Sequence, residues 1–195
     1  MRPGPGHNRP PEPTTGWARH CWTQARRELV GERMPIDMLR IRMARARELG
    51  LSFPQYRSIL LGGGRDVTAF LFTVEGLHLR LTRELSMPDA VRAKLGAITR
   101  CGLLAFAPSG EAPQAFRQEL SSVAGVGFAD AGPEPEPRAT WGQGRAAVHA
   151  LLRAEGLPAQ SVVMVGHGAR ERGWAEAAQL VRFLPRADYF AGTGT

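Results

Sequence analysis

Apolar positions recur every three or four residues through the first third of the chain and then gather into short compact runs, so the period itself marks a change of architecture. From Trp17 to Val30, the residues Ala18, Cys21, Trp22, Ala25 and Leu29 form one stripe, which predicts an amphipathic helix with Arg19, Arg26 and Arg27 off the stripe. Pro35 starts a second helix at the position where a missing N–H costs nothing, with Ile36, Leu39, Met43, Ala46 and Leu49 as its buried face. A third helix runs from Phe53 to Leu61 and is closed by Gly62, Gly63 and Gly64.

Beyond these glycines the pattern becomes extended. Val67 to Thr73, VTAFLFT, is apolar on both faces, which suits a strand covered on both sides better than an exposed wing. Leu77 to Leu81 alternates apolar and polar residues and predicts the returning arm of a hairpin turned at Val74 to Gly76, with His78 and Arg80 on its wet face. Pro88 to Thr99 reads as a helix, Cys101 to Ala107 as a buried strand, and Pro113 to Val123 as another helix. Gly125 to Thr140, which includes GPEPEP, reads as a long loop. Trp141 to Glu155 is helical, Ser161 to Val165 is a third buried strand, and Ala169 to Leu184 is a helix stopped by Pro185, with a frayed tail after it. Strands alternating with helices give the expected fold: an N-terminal three-helix unit (17–64), then a small three-layer α/β domain (65–190) with a partly parallel sheet. Residues 1–16, rich in Pro and Gly, form the expected flexible arm.

With 195 residues and an apolar share of 43%, the chain is long enough to bury a real core. No run approaches the ~18 apolar residues of a membrane span, and the start lacks the apolar centre of a secretory signal, so a cytoplasmic protein is expected. Cys21 and Cys101 make neither a zinc spacing nor a disulfide framework and read as reduced thiols. Around His7 and His20 no second Cys or carboxylate falls at ligand spacing, so no metal is expected. The formal net charge is +7, and Lys94 is the sole lysine. Residues 1–60 carry 11 arginines against 5 acids, whereas residues 61–195 carry 14 basic against 13 acidic residues. Local positive charge of that kind drives phosphate binding by counterion release, so the excess favours a nucleic-acid partner for the first third.

The same region carries a motif. Ala46 is small where a second helix must cross, Gly50 can end one helix in the left-handed conformation, Ser52 can cap the next, and Tyr56, Ile59 and Leu60 return at helical spacing. This A-x-x-L-G-L-S pattern, over residues 46–62, resembles the helix-turn-helix of bacterial DNA-binding proteins, in which the second helix enters the major groove. The resemblance implies Ser52, Gln55, Arg57 and Ser58 as base readers and Arg40, Arg42, Arg45 and Arg47 as phosphate contacts. Arg45 departs from the family pattern, which usually has an apolar residue just before the small one. The whole chain is also similar to an uncharacterised group of bacterial proteins with a Gly-His-Asn arm, a Trp-x-x-His-x-Trp helix and a Gly-Arg-Asp-Val strand entry, here Gly6 to Asn8, Trp17 to Trp22 and Gly64 to Val67. That similarity implies no activity.

A rival site lies in the α/β part. Open sheets of this kind bind ligands beyond the carboxyl ends of their strands, and Val165 is followed by Gly166, His167 and Gly168 and then a helix N-terminus. A phosphate could sit there with help from Arg170, and His167 could act as acid or base. The third glycine of the dinucleotide fingerprint is replaced by Glu171, no Walker loop occurs, and no cofactor is implied. The expected function is therefore a DNA-binding regulator whose α/β domain senses a ligand or mediates self-association as a homo-oligomer. The alternatives are a small α/β enzyme or binding protein for a phosphorylated or nucleotide ligand, and a protein-interaction module.

Overall fold

The computed structural model describes residues 34–81 and 85–191. The expected arm (1–16), the first helix with Trp17, His20 and Cys21, and the end of the tail (192–195) lie outside the described residues. The chain divides into two compact units, Met1–Ile41 and Arg42–Thr195, and the border falls within the first described helix.

That helix, α1 (Ile36–Glu48), ends as its sequence requires. Gly50 has φ 62°, the Leu51 amide donates to the Ala46 carbonyl (2.9 Å) and the Gly50 amide to the Arg47 carbonyl (3.0 Å). These two bonds satisfy carbonyls that the helix end would otherwise leave open. Helix α2 (Phe53–Gly63) begins at the Ser52 cap and closes at Gly64, φ 64°. Ala46, Leu49, Tyr56 and Ile59 are buried as the spacing predicts, with Leu51 buried beside them, whereas Leu39 and Met43 are half-buried and Ile36 is exposed, contrary to the expected stripe.

Strand β1 (Ala69–Phe72) is central in a five-stranded sheet with β4 (Gly102–Ala107), β5 (Asp130–Pro133), β6 (Val162–Gly166) and β7 (Arg182–Pro185). The order is β5-β4-β1-β6-β7, and every pairing is parallel. Two corrections to the sequence reading follow. The 125–140 loop contains the edge strand β5, and the expected helix to Leu184 ends at Ala177 and yields the other edge strand, β7. Leu77 to Leu81 does not return along β1 as a hairpin. Instead β2 (Arg80–Leu81) pairs with β3 (Leu85–Ser86) in a separate two-stranded ribbon, because both flanks of β1 are occupied by β4 and β6.

The remaining helices are α3 (Asp89–Ala97), α4 (Pro113–Ala124), α5 (Trp141–Ala154), α6 (Ala169–Ala177) and the short α7 (Arg186–Phe190). Alternate residues of the central strands enter two separate cores, which makes three layers. Phe70, Phe72, Ala105, Val163 and Val165 join Leu49, Tyr56, Ile59, Leu95, Phe116 and Tyr189 on one face. Leu71, Leu104, Phe106 and Met164 join Val148, Leu152 and Trp174 on the other. Each of these large side chains contributes about 1.5–3 kcal/mol on burial. The α1–α2 corner thus shares its core with the sheet. Tyr189 fixes the corner further, since its hydroxyl donates to the Leu49 carbonyl (3.2 Å), and Lys94 donates to the Tyr189 carbonyl with its ammonium 4.3 Å from the ring centre.

Candidate ligand site at the carboxyl edge of the sheet

From β1 the chain steps outward to β4 and β5, then crosses to β6 and β7 on the other side. The direction reverses between β1 and β6, and it is beyond the carboxyl ends of the strands at such a switch point that open α/β sheets bind ligands. The loops that leave these strands converge there.

After β1, Thr73 donates its amide to the Val165 carbonyl (3.1 Å) and accepts at its buried hydroxyl from the Gly76 amide (3.0 Å). A Cβ at Gly76 would collide with the Val165 carbonyl, so only glycine lets the turn pass over the end of β6. The turn carries Glu75, whose carbonyl accepts from Arg186 at the start of α7 (2.7 Å), and His78, held at φ 54° with its ring edge-on to Phe190. Burial holds the His78 imidazole below its ordinary range, and the charges of Arg186 and His167 add to that. The turn after β1, the loop after β6 and the helix after β7 therefore act on one another.

After β6, Gly166 ends the strand, His167 is exposed, and Gly168 starts α6. The two amides expected to hold a phosphate already have an acceptor. Glu171, 1% exposed, accepts from the His167 amide (2.5 Å) and the Gly168 amide (2.7 Å) through Oε2. Its second oxygen, Oε1, is buried without a hydrogen-bond partner. Gly166 makes room for this carboxylate, since a Cβ there would lie 3.0 Å from Oε2 and 2.8 Å from the Phe183 ring. Arg170 is exposed, with its guanidinium 5.3 Å from the centre of the Trp174 ring.

After β5, Glu134 prolongs the ladder by donating its amide to the Ala107 carbonyl (2.9 Å) and turns its carboxyl inward. Burial pushes that carboxyl up to about 7, the charge of Glu171 adds to the rise, and Arg170 and the Val74 amide oppose it. Like Glu171, it has a buried Oε1 with no partner. Glu134, Glu75 and Arg186 were absent from the sequence reading, and His78 was placed only on the wet face of the expected hairpin. Glu171 was legible as a carboxylate three residues after a helix start, the spacing of a capping box. Glu134 gave no signal, because its burial comes from the edge strand hidden in the apparent loop.

The residues expected to meet nucleic acid are distributed differently. Ser52 and Gln55 are bound to each other: Gln55 Oε1 accepts from the Ser52 amide (3.0 Å), and Ser52 Oγ accepts from the Gln55 amide (3.4 Å). Arg57, Ser58 and Arg47 are exposed, and Arg42 is half-buried. Arg40 is paired with Asp37 at 3.5 Å. Arg45 is a structural anchor. Its side chain, 13% exposed, donates to Asp66 (2.7 Å), Glu48 (3.0 Å) and the carbonyls of Val67 (2.8 Å), Thr99 (3.3 Å) and Arg100 (3.3 Å). That accounts for its departure from the helix-turn-helix pattern.

Among the described residues, no helix is long and apolar enough to cross a membrane, and no three His, Cys, Asp or Glu residues are grouped to hold a metal. Comparison with protein-family models, with curated proteins and with solved structures returns no match.

Proposed function

We propose that the protein binds a small phosphorylated or carboxylated metabolite at the carboxyl edge of its sheet. The reading is carried by one observation: the loops leaving β1 and β6 and the helix following β7 bring His78, His167 and Arg186 within electrostatic reach of one another, Glu134 from the end of β5 faces Glu171, and the His167 amide bonded to Glu171 joins the two groups. Titratable groups displaced from their ordinary ranges concentrate where ligands bind and protons move. Because Glu171 occupies the loop amides, the ligand's anionic group falls to the side chains of His167, Arg170 and Arg186. Glu134, whose carboxyl lies near 7, is the group suited to exchange a proton at neutral pH.

The test is a calorimetric and thermal-shift screen with nucleotides, sugar phosphates and dicarboxylates, run beside His167→Ala and Arg186→Ala. A ligand that binds the parent and loses at least about tenfold in affinity with each variant, roughly 1.4 kcal/mol, supports the site. Equal affinity for parent and variants refutes it.

A nucleic-acid reading stands beside this one, favoured by the exposure of Arg57 and Ser58 on α2 and of Arg47 on α1. In this reading Arg57 and Ser58 are the readers, and Ser52 and Gln55 serve the helix cap. Binding to random duplex DNA that weakens steeply with salt, with altered selection by Arg57→Ala, supports it. No binding at low salt ends it.

A further inference from the structure

Four charged side chains surround one space at the β7 edge of the sheet without pairing. Arg172 and Glu176 on α6, Arg182 on β7 and Asp188 on α7 line a cavity of about 450 Å³, the size of a small-molecule site. All four are exposed, so the cavity opens to solvent. Among the described residues, none of their side chains makes an ion pair or a hydrogen bond. Arg172 and Glu176 stand one turn apart on α6, where opposite charges can meet, yet the Arg172 guanidinium lies 5.4 Å from the centre of the Phe183 ring on β7 instead. That contact with the ring holds the cation toward the sheet edge.

The cavity follows the rim of β7. Arg182 and Phe183 are successive strand residues and point to opposite faces, so a space that touches both runs along the edge. β7 has a strand neighbour, β6, on one side only, and its other side carries amides and carbonyls that no strand pairs. The rest of the wall is apolar, with Leu180, Val181 and Phe183 all half-buried. None of these residues belongs to the site at the switch point.

We propose that this cavity binds a free amino acid with an apolar side chain, a zwitterion whose two charges match the two signs on the wall. Its carboxylate meets Arg172 and Arg182, its ammonium meets Glu176 and Asp188, and its side chain covers Leu180 and Phe183. A ligand of one sign fits less well, because an anion drawn by the two guanidinium groups is repelled by the two carboxylates, and a cation meets the reverse. The planar guanidinium groups suit a carboxylate, which they hold through paired N–H bonds. Open carbonyls along β7 add acceptors for an ammonium, which has three donors to satisfy. The proposal stands whether or not the switch-point site binds a metabolite.

The experiment titrates the full chain with L-phenylalanine and L-leucine, followed by calorimetry and by amide shifts in NMR. Two halves of the first ligand run beside them: 3-phenylpropionate, which lacks the ammonium, and phenethylamine, which lacks the carboxylate. The expected result is binding of at least one amino acid in the millimolar range or tighter, with both halves at least about tenfold weaker and with shifts at the Glu176, Arg182 and Asp188 amides. Arg182→Ala and Asp188→Asn, both at exposed positions, should each weaken binding about tenfold and leave the melting temperature in place. His167→Ala should leave this affinity unchanged. Failure of both amino acids to bind overturns the proposal, as does an affinity that Arg182→Ala and Asp188→Asn leave unmoved. Halves that bind as well as the whole remove the zwitterion. Shifts confined to residues 166–168 place the ligand in the switch-point site instead, and equal binding of N-acetyl-phenylalanine amide assigns the edge to peptide strands; either outcome overturns the proposal.

Discussion

Arg45 offers the sharpest test of the energetics. Replacing it with alanine removes donors from five acceptors, which lose different amounts. Asp66 is 45% exposed and Glu48 26%, so each regains water, and the lost ion pairs amount to about 0.2–1 kcal/mol apiece. The carbonyls of Thr99 and Arg100 lie on exposed residues and also rehydrate. The Val67 carbonyl belongs to a residue with no exposure, and leaving it without a donor costs about 1–3 kcal/mol. The sum is about 1.5–5 kcal/mol, with some of it recovered if water enters the space of the lost side chain. For a domain of this size that corresponds to a fall of roughly 3–20 °C in melting temperature. Urea unfolding followed by circular dichroism measures it, with exposed Arg47→Ala as the control at no more than about 0.5 kcal/mol. Arg45→Lys keeps the charge but not the planar fork and should recover only part of the loss. If Arg45→Ala unfolds within about 0.5 kcal/mol of the parent, the anchor contributes nothing and the reasoning fails.

Two further outcomes follow from the packing and from the ion pairs. Gly144→Ala gains about 1 kcal/mol in helix propensity, but its methyl would drive into the buried Trp174 ring, so net destabilisation of about 1–3 kcal/mol is expected; a variant more stable than the parent in thermal unfolding would show that α5 and α6 separate freely. Glu48 is held below the ordinary carboxylate range by Arg100 and then by Arg45, so its contribution is present above about pH 4.5 and is lost as pH falls through its lowered value. Glu48→Gln should therefore flatten the acid limb of a stability-against-pH curve and lower stability at pH 7, and an unchanged acid limb would remove this pair as a source of acid sensitivity.

What the sequence disclosed depended on where each element sits. β1 was legible because a strand with a sheet neighbour on either side and a core on both faces must be apolar throughout, and Phe70, Leu71 and Phe72 are. The edge strands were not. β5 reads Asp-Ala-Gly-Pro, with neither β-branched nor aromatic residues, and its proline is tolerated because one side of an edge strand carries no ladder. β7 was hidden because Ala178, Val181 and Leu184 continue the helical spacing of α6, while the break falls at Gln179, whose φ of 56° has no glycine to announce it. The site followed the same division. The Gly-His-Gly loop was visible in the sequence, whereas the carboxyl beside it arrives on β5 and became visible only with the topology.

The position of β1 has a consequence for how the chain is made. Its first partner, β4, follows about thirty residues later, but the strand that closes its other side arrives only when Thr68 can meet Ser161, 93 residues on. At about 5–20 residues per second, a ribosome needs roughly 5–20 s to deliver it. Through that interval the hydrophobic centre of the sheet has an open edge of unpaired amides and carbonyls, able to recruit another nascent chain as readily as its own β6. The yield of folded protein therefore depends on how quickly the stretch between β4 and β6 is read, and slowing translation between Leu104 and Val162 should cost more product than slowing it anywhere after Gly166.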